Sequence, residues 1–317
     1  MKSVQQEVDE RSNLAGTNKF ELLLFRLGED AQSGRSELFG INVFKIREIV
    51  AMPPITAVAG SVPHMLGVVN LRGQIIQVLD LPAIAGCTPK TGLNIMLVTE
   101  FARTTQAFAV ESVEDIVRLD WNQVLSAEAS TAGGMVTSIA RIKDGDEQRL
   151  AQVLDVETIL RRLNPPEKPD VDTSTIGPKI KLKPGQMVVA CDDSYVARSI
   201  IEQGLEALGL EYVMLKTGKE AWDKLNTLAS MAEKDGGTIA DKVAFVLTDL
   251  EMPEMDGFTL TRNIKQSQKL GVLPVVIHSS LSGTTNEDHV RSVGADAYVA
   301  KFNSDDLAST IRHVLKQ

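Results

Sequence analysis

The stretch RRLNPPEKPDVDTSTIGPKIKLKPG at 161–185 carries five prolines and divides the chain into two halves whose apolar residues recur with different periods. No single core satisfies both patterns. Before it the runs are short and of strand type, FELLLFRL, ELFGINV, GQIIQVLDL, NIMLVTE, QAFAVESV and LAQVLDV, separated by clusters of Gly, Pro, Asn and Asp. Helical pattern there is confined to FKIREIV, expected to form a turn or two, and to VETILRRL as a terminal helix. After it, strand and helix alternate five times, from MVVACDD and SYVARSIIEQGLEALG to DAYVAKF and DDLASTIRHVLK, which implies a parallel sheet covered on both faces. The expected organisation is a mainly β domain over 18–163, an extended tether over 164–185 and an α/β domain with a doubly wound, five-stranded parallel sheet over 186–317.

A length of 317 residues suits two such cores. Lys+Arg number 33 against 42 Asp+Glu, a net charge of −9 shared by both halves, which argues against nucleic acid as a partner. The two cysteines, Cys87 and Cys191, are far apart and lack metal-ligand spacing, so a reducing compartment is expected. The polar N-terminus has no secretory apolar region, and no run is long enough to span a bilayer. The cytoplasm is the expected location, with any membrane association made through a partner.

In an open parallel sheet, ligands gather beyond the carboxyl ends of the strands. In the second half those ends read Asp192 and Asp193, then Asp249 after FVLT, Ser279 and Ser280 after PVVIH, and Lys301 after AYVA. One Asp at a strand end is more often a cap or turn residue. The ordered set is a different matter. Three carboxylates would repel one another without a cation among them, and hard oxygen donors suit Mg²⁺. A lysine and a hydroxyl facing the same point can hold phosphoryl oxygens, which makes Asp249 the candidate nucleophile.

CDDS, TDLEMPEMDG, PVVIHSS and GADAYVAKF resemble, in order and spacing, the motifs of response-regulator receiver domains, a flavodoxin-like fold, over about 186–317. The resemblance implies that a histidine kinase phosphorylates Asp249. It also implies that Asp193, Asp249 and the backbone carbonyl of Glu251 bind Mg²⁺, with Asp192 acting through water. Ser279 and Tyr298 stand at the switch positions and Lys301 at the phosphoryl-contacting lysine. Phe302 occupies the position where that family usually has proline, and the Glu251 carboxylate could crowd water near a phosphoryl group.

The first half offers no catalytic set. His64 is its only histidine, expected in a surface loop, and Cys87 is expected in a loop with no histidine nearby. GVVNLRGQIIQVLDL reads as a hairpin with NLRG at its exposed tip. With ELFGINVFKIREIV, it is similar to the chemotaxis coupling protein CheW, a pair of small five-stranded barrels, over about 18–163. The two halves in this order resemble the fused coupling family CheV. That resemblance implies a cytoplasmic adaptor at receptor arrays, joining the cytoplasmic tip of chemoreceptors to the histidine kinase CheA, with Ile46, Glu48 and Arg72 at or beneath the receptor-facing groove and Glu48 paired with Arg72. An adaptor is not an enzyme. The alternative is a phosphohydrolase of the haloacid dehalogenase type, whose usual Asp-x-Asp is here Asp249-Leu250-Glu251.

Overall fold

The computed structural model describes residues 19–101, 104–127, 134–144, 147–163, 165, 171, 176–279, 293–301 and 304–316. The chain divides into two compact units, at Pro165 and Pro166.

The first unit is built on two sheets. One has the order β4-β8-β9-β6-β5, formed by β4 (Ile46–Ala51), β5 (Met65–Leu71), β6 (Gln74–Asp80), β8 (Ile95–Phe101) and β9 (Thr104–Val110). Its edges meet: Thr56, just past β4, exchanges two 2.9 Å backbone hydrogen bonds with Val68 of β5. The sheet thus curls round Val69, Ile76, Val78, Met96, Val98, Ala107 and Ala109. Closure satisfies edge N–H and C=O groups that an open sheet would expose.

The other sheet has six strands in the order β10-β1-β3-β13-β12-β11. They are β1 (Lys19–Arg26), β3 (Leu38–Asn42), β10 (Ser112–Asp120), β11 (Val124–Ser126), β12 (Val136–Asp144) and β13 (Glu147–Leu154). The count of six, against the expected five, comes from a 3₁₀ turn at Trp121–Gln123 that divides consecutive strands β10 and β11 between opposite edges. Phe20, Leu22, Leu24, Trp121, Ala140 and Val153 fill this sheet's own core. A third core, with Phe25, Phe39, Ile41, Ile46, Leu79 and Phe108, also takes in Val156, Ile159 and Leu160 of the terminal helix α2 (Val156–Leu163). The remaining elements are a small pair, β2 (Glu29–Asp30) with β7 (Cys87–Thr88), and the short helix α1 (Leu81–Ala85).

Two expectations change here. FKIREIV contributes only the end of a 3₁₀ turn at Val43–Lys45, and its β-branched remainder is β4, paired antiparallel with β8. Cys87 is buried and sits in β7 rather than in a loop. His64 is exposed, as expected of a surface loop residue.

The second unit is a five-stranded parallel sheet, order β15-β14-β16-β17-β18, from β14 (Met187–Cys191), β15 (Tyr212–Leu215), β16 (Val243–Thr248), β17 (Val275–Ser279) and β18 (Ala297–Ala300). The helices are α3 (Tyr195–Ala207), α4 (Gly218–Lys234), α5 (Gly257–Gln266) and α6 (Ser304–Leu315). Ser194, Thr217 and Asp256 cap the first three, each accepting a backbone N–H with its side-chain oxygen. The helix expected from NEDHVRSVG and the position of Phe302 lie outside the described residues.

The proline-rich stretch is not tether throughout. Val171, Ile176 and Ile180 are buried in this unit's core with Leu205, Leu208, Phe245 and Ile311. Their spacing matches neither helix nor strand, so the sequence pattern hid them. Among the described residues, no helix is long and apolar enough to cross a membrane.

Candidate functional site

Register decides which side chains meet. Cys191 of β14 pairs with Thr248 of β16, Thr248 with Ile277 of β17, and Ser279 with Ala300 of β18. The residues leaving those strands therefore share one edge: Asp192 and Asp193, Asp249, Ser279 and Lys301. Backbone bonds hold the frame, from Asp249 N–H to Cys191 C=O (3.0 Å) and from Lys301 N–H to Ser279 C=O (2.9 Å).

Ligand oxygens of Asp192, Asp193 and Asp249 all lie within 4.8 Å of one another. The Lys301 ammonium stands between two of them, 2.8 Å from Asp192 Oδ2 and 3.2 Å from Asp249 Oδ2, and these three side chains are no more than 3% exposed. Among the described residues, three carboxyl groups thus converge with one lysine at a buried strand edge. Such an all-oxygen, electron-rich donor set fits a hard divalent cation.

Further groups fix the loop that carries these acids. Ser194 N–H donates to Asp192 Oδ1 at 2.9 Å, and Arg198 Nη1 donates to the carbonyls of Asp192 (2.9 Å) and Asp193 (2.8 Å). Sequence reasoning missed Arg198; its signal is a cation on the first turn of a helix that follows an Asp pair. Cys191 packs behind the site with Sγ 3.3 Å from Thr248 Oγ1, and burial pushes its thiol up to about 12. Ser279 and Glu251 are buried, while Tyr298 is half-buried and packs with Leu250, Ile277 and Phe258. Gly257 lets α5 approach the loop, because a Cβ there would fall 2.0 Å from the Asp249 carbonyl oxygen.

In the first unit, Arg72 Nη2 lies 2.7 Å from Glu48 Oε1; the Arg72 side chain is 70% exposed and that of Glu48 12%. Glu48 sits within β4, and the hairpin that carries Arg72 is at the far edge of the sheet; curling brings the two together. Arg72 and Gly73 form the two-residue turn between paired Leu71 and Gln74, with φ +51° and +88°, the signature of a type I′ hairpin. Ile46 is buried in the core shared with α2 and presents no surface to a partner.

A mainly β unit built on two sheets and a parallel α/β unit with an acidic strand edge fit a signalling protein of the two-component class. Residues 21–164 match the CheW-like domain and residues 188–312 the response regulator receiver domain. The chain is 29% identical to chemotaxis protein CheV2 of Helicobacter pylori over 98% of its own length and 99% of the relative's. It is 29% identical to CheV3 of the same organism over 94% and 95%. The receiver domain of the histidine kinase CKI1 from Arabidopsis thaliana, solved with Mg²⁺, is 27% identical over 41% of this chain and 92% of that one, with a TM-score of 0.37. The chain carries a CheW-like domain followed by a response regulator receiver domain and is similar over nearly its whole length to CheV chemotaxis proteins. The haloacid dehalogenase alternative gains no support from these matches.

Proposed function

We propose that this protein is a cytoplasmic adaptor of chemoreceptor arrays, that its β domain joins the receptor tip to the kinase CheA, and that phosphorylation of Asp249 modulates the junction. The observation that carries the reading is Lys301, held between Asp192 and Asp249 beside Asp193 in a chain whose other half has the coupling-domain pattern. The working division is a coupling domain over 18–163 and a receiver over 186–317, joined by a linker over 164–185 of which Val171, Ile176 and Ile180 pack into the receiver core.

In the phosphoryl transfer, an Asp249 carboxylate oxygen bonds to phosphorus as the P–N bond to the kinase histidine breaks, and the imidazole keeps the electron pair. Lys301 neutralises charge on the phosphoryl oxygens and Ser279 donates its hydroxyl to one of them. Asp193, Asp249 and the Glu251 carbonyl, with Asp192 acting through water, would hold Mg²⁺, which would supply further charge neutralisation. Tyr298 shifts its packing as Ser279 and Lys301 move inward. Receptor contact falls to the surface shaped by Arg72 and Glu48, with Ile46 beneath it. The chain serves as an adaptor rather than as an enzyme, reaches the membrane only through receptors, and takes no nucleic acid.

The test is incubation with phosphorylated CheA and Mg²⁺, followed by receptor-array binding of wild type, Asp249→Ala and a fragment ending at Leu163. Wild type takes the label, Asp249→Ala does not, and the fragment binds receptor and kinase. Stable label on Asp249→Ala at another residue, or a folded fragment that binds neither partner, would reject the reading.

A further inference from the structure

Two helices of the receiver unit are rooted at the acid pocket. Helix α3 starts at Tyr195, directly after Asp192–Ser194, and α6 starts at Ser304, just past Lys301. Their far ends hold the segment that the sequence suggests is tether. Ile176 and Ile180 are 2% and 5% exposed, and with Val171 they share a cluster with Leu205 on α3, Leu208 just past its end and Ile311 on α6. The backbone is held as well. Ile180 N–H donates to the Leu208 carbonyl at 2.8 Å, and Arg312 Nη2 donates to the carbonyls of Ile176 (2.9 Å) and Pro178 (2.7 Å).

Two glycines allow this close seating. Gly177 has φ +82°, and a Cβ there would lie 2.9 Å from Arg312 Nη2; Gly209, φ +71°, would place one 3.0 Å from Lys179 Cδ. At the other end of both helices, the Lys301–Asp192 ion pair ties the root of α6 to the root of α3, and the same ammonium is 3.2 Å from Asp249.

We propose that the groove between α3 and α6 is an internal docking surface whose occupant is the segment around Val171 and Ile176–Ile180, and that phosphorylation of Asp249 loosens this seat. The inference rests on the reading of Asp249 as phosphoacceptor. New phosphoryl oxygens compete with Asp192 for the Lys301 ammonium, because a charge-assisted contact to a more highly charged anion is the stronger one. Once Lys301 turns to the phosphoryl group, the tie between the two roots weakens. A seat made jointly by two helices then holds its occupant less well. Release lengthens the connection between the units: from Leu163 to an anchored Val171 the chain can span at most roughly 28 Å, and from Leu163 to Met187 roughly 80 Å. The partner sensed by the receiver is thus its own linker.

The test is amide hydrogen exchange on the full chain, with acetyl phosphate and Mg²⁺ as phosphodonor and intact mass to count phosphoryl groups. In wild type the Ile180 amide is protected. In Arg312→Gln it exchanges roughly tenfold faster while the amides of β14 and β16 keep their protection, which shows that the variant is folded. Phosphodonor accelerates Ile180 exchange in wild type and leaves Asp249→Asn unchanged. One added phosphoryl mass with no change at Ile180 overturns the coupling and leaves the phosphoacceptor reading standing. No added mass overturns that reading and the coupling with it. Arg312→Gln with wild-type protection at Ile180 overturns the clamp.

Discussion

Arg72 donates to Glu48 across 2.7 Å and so links the hairpin at one edge of the five-stranded sheet to the strand at the other. The arginine holds a left-handed backbone, φ +51°, in the first position of a two-residue turn where Gly, Asn or Asp is the usual choice. For a residue with a Cβ that conformation costs about 1–2 kcal/mol. An ion pair whose arginine is largely solvent-exposed returns only about 0–1 kcal/mol. The two magnitudes nearly cancel, so the arginine is not there for stability.

Arg72→Gly should therefore leave the melting temperature within a few degrees of wild type, because relief of the left-handed strain offsets the lost pair. Receptor binding should weaken in the same variant, and phosphoryl uptake at Asp249 should not change. Glu48→Arg combined with Arg72→Glu should recover part of the binding. A pull-down with receptor cytoplasmic fragments measures this. Undiminished binding by Arg72→Gly would reduce the pair to a solvated hairpin charge.

A second expectation concerns Lys301, whose side chain and that of Asp192 are 1% and 0% exposed. Lys301→Met removes the ammonium that stands between the Asp192 and Asp249 carboxylates, and losing one partner of a buried pair typically costs about 3–5 kcal/mol. Mg²⁺ should recover part of that loss. Thermal melts in Mg²⁺ and in EDTA should differ in wild type and differ more in Lys301→Met, since a ligand that binds only the folded state raises its stability. Identical melts in both conditions for both proteins would remove Mg²⁺ from the site.

Cys191 gives a dependence on pH. Burial raises its thiol from 9.0 to about 12, so between those values the unfolded chain loses a proton that the folded chain keeps. The stability this thiol contributes is fully present below about pH 9 and is lost as pH rises toward 12, with a slope of up to about 1.4 kcal/mol per pH unit. Urea melts of Cys191→Ala should show a shallower loss than wild type over that window. Equal slopes would mean that other groups control the alkaline limb.

Much of the receiver unit was legible because four of the five strands lead into residues of distinct chemistry, and parallel register carries those ends to one edge. The β unit was legible as strands but not in its sheet arrangement. Closure of the five-stranded sheet depends on Thr56 meeting Val68, and the placing of β10 and β11 at opposite edges of the six-stranded sheet on the turn at Trp121–Gln123, features that no local period announces. FKIREIV misled because Lys45 and Glu48 stand at helical i, i+3 spacing, while the bulge between Ile46 and Glu48 breaks the alternation that marks a strand. Arg198 was hidden for another reason: it acts on main-chain carbonyls, whose positions are known only once the chain has folded.

The last prediction concerns Gly257, which opens α5 and sits against the acceptor loop. A Cβ there would lie 2.0 Å from the Asp249 carbonyl oxygen and 3.0 Å from Leu250 Cα, both backbone atoms that cannot swing aside. The Asp249 backbone is in turn held by its bond to Cys191, so the strain must move the loop, the helix or both. Overpacking of this kind costs about 1–3 kcal/mol, and a misplacement near 1 Å at a reacting group can slow its reaction by about 100-fold. Gly257→Ala should lower stability and slow phosphoryl uptake from acetyl phosphate, yet leave receptor binding by the separate β unit intact. Gly236→Ala is the control: Gly236 has φ +76° but nothing within 4 Å of an added Cβ, so that variant should lose about 1 kcal/mol through backbone strain and take up phosphoryl groups at the wild-type rate. Equal uptake by Gly257→Ala and Gly236→Ala would show that the approach of α5 to Asp249 does not set the acceptor's position.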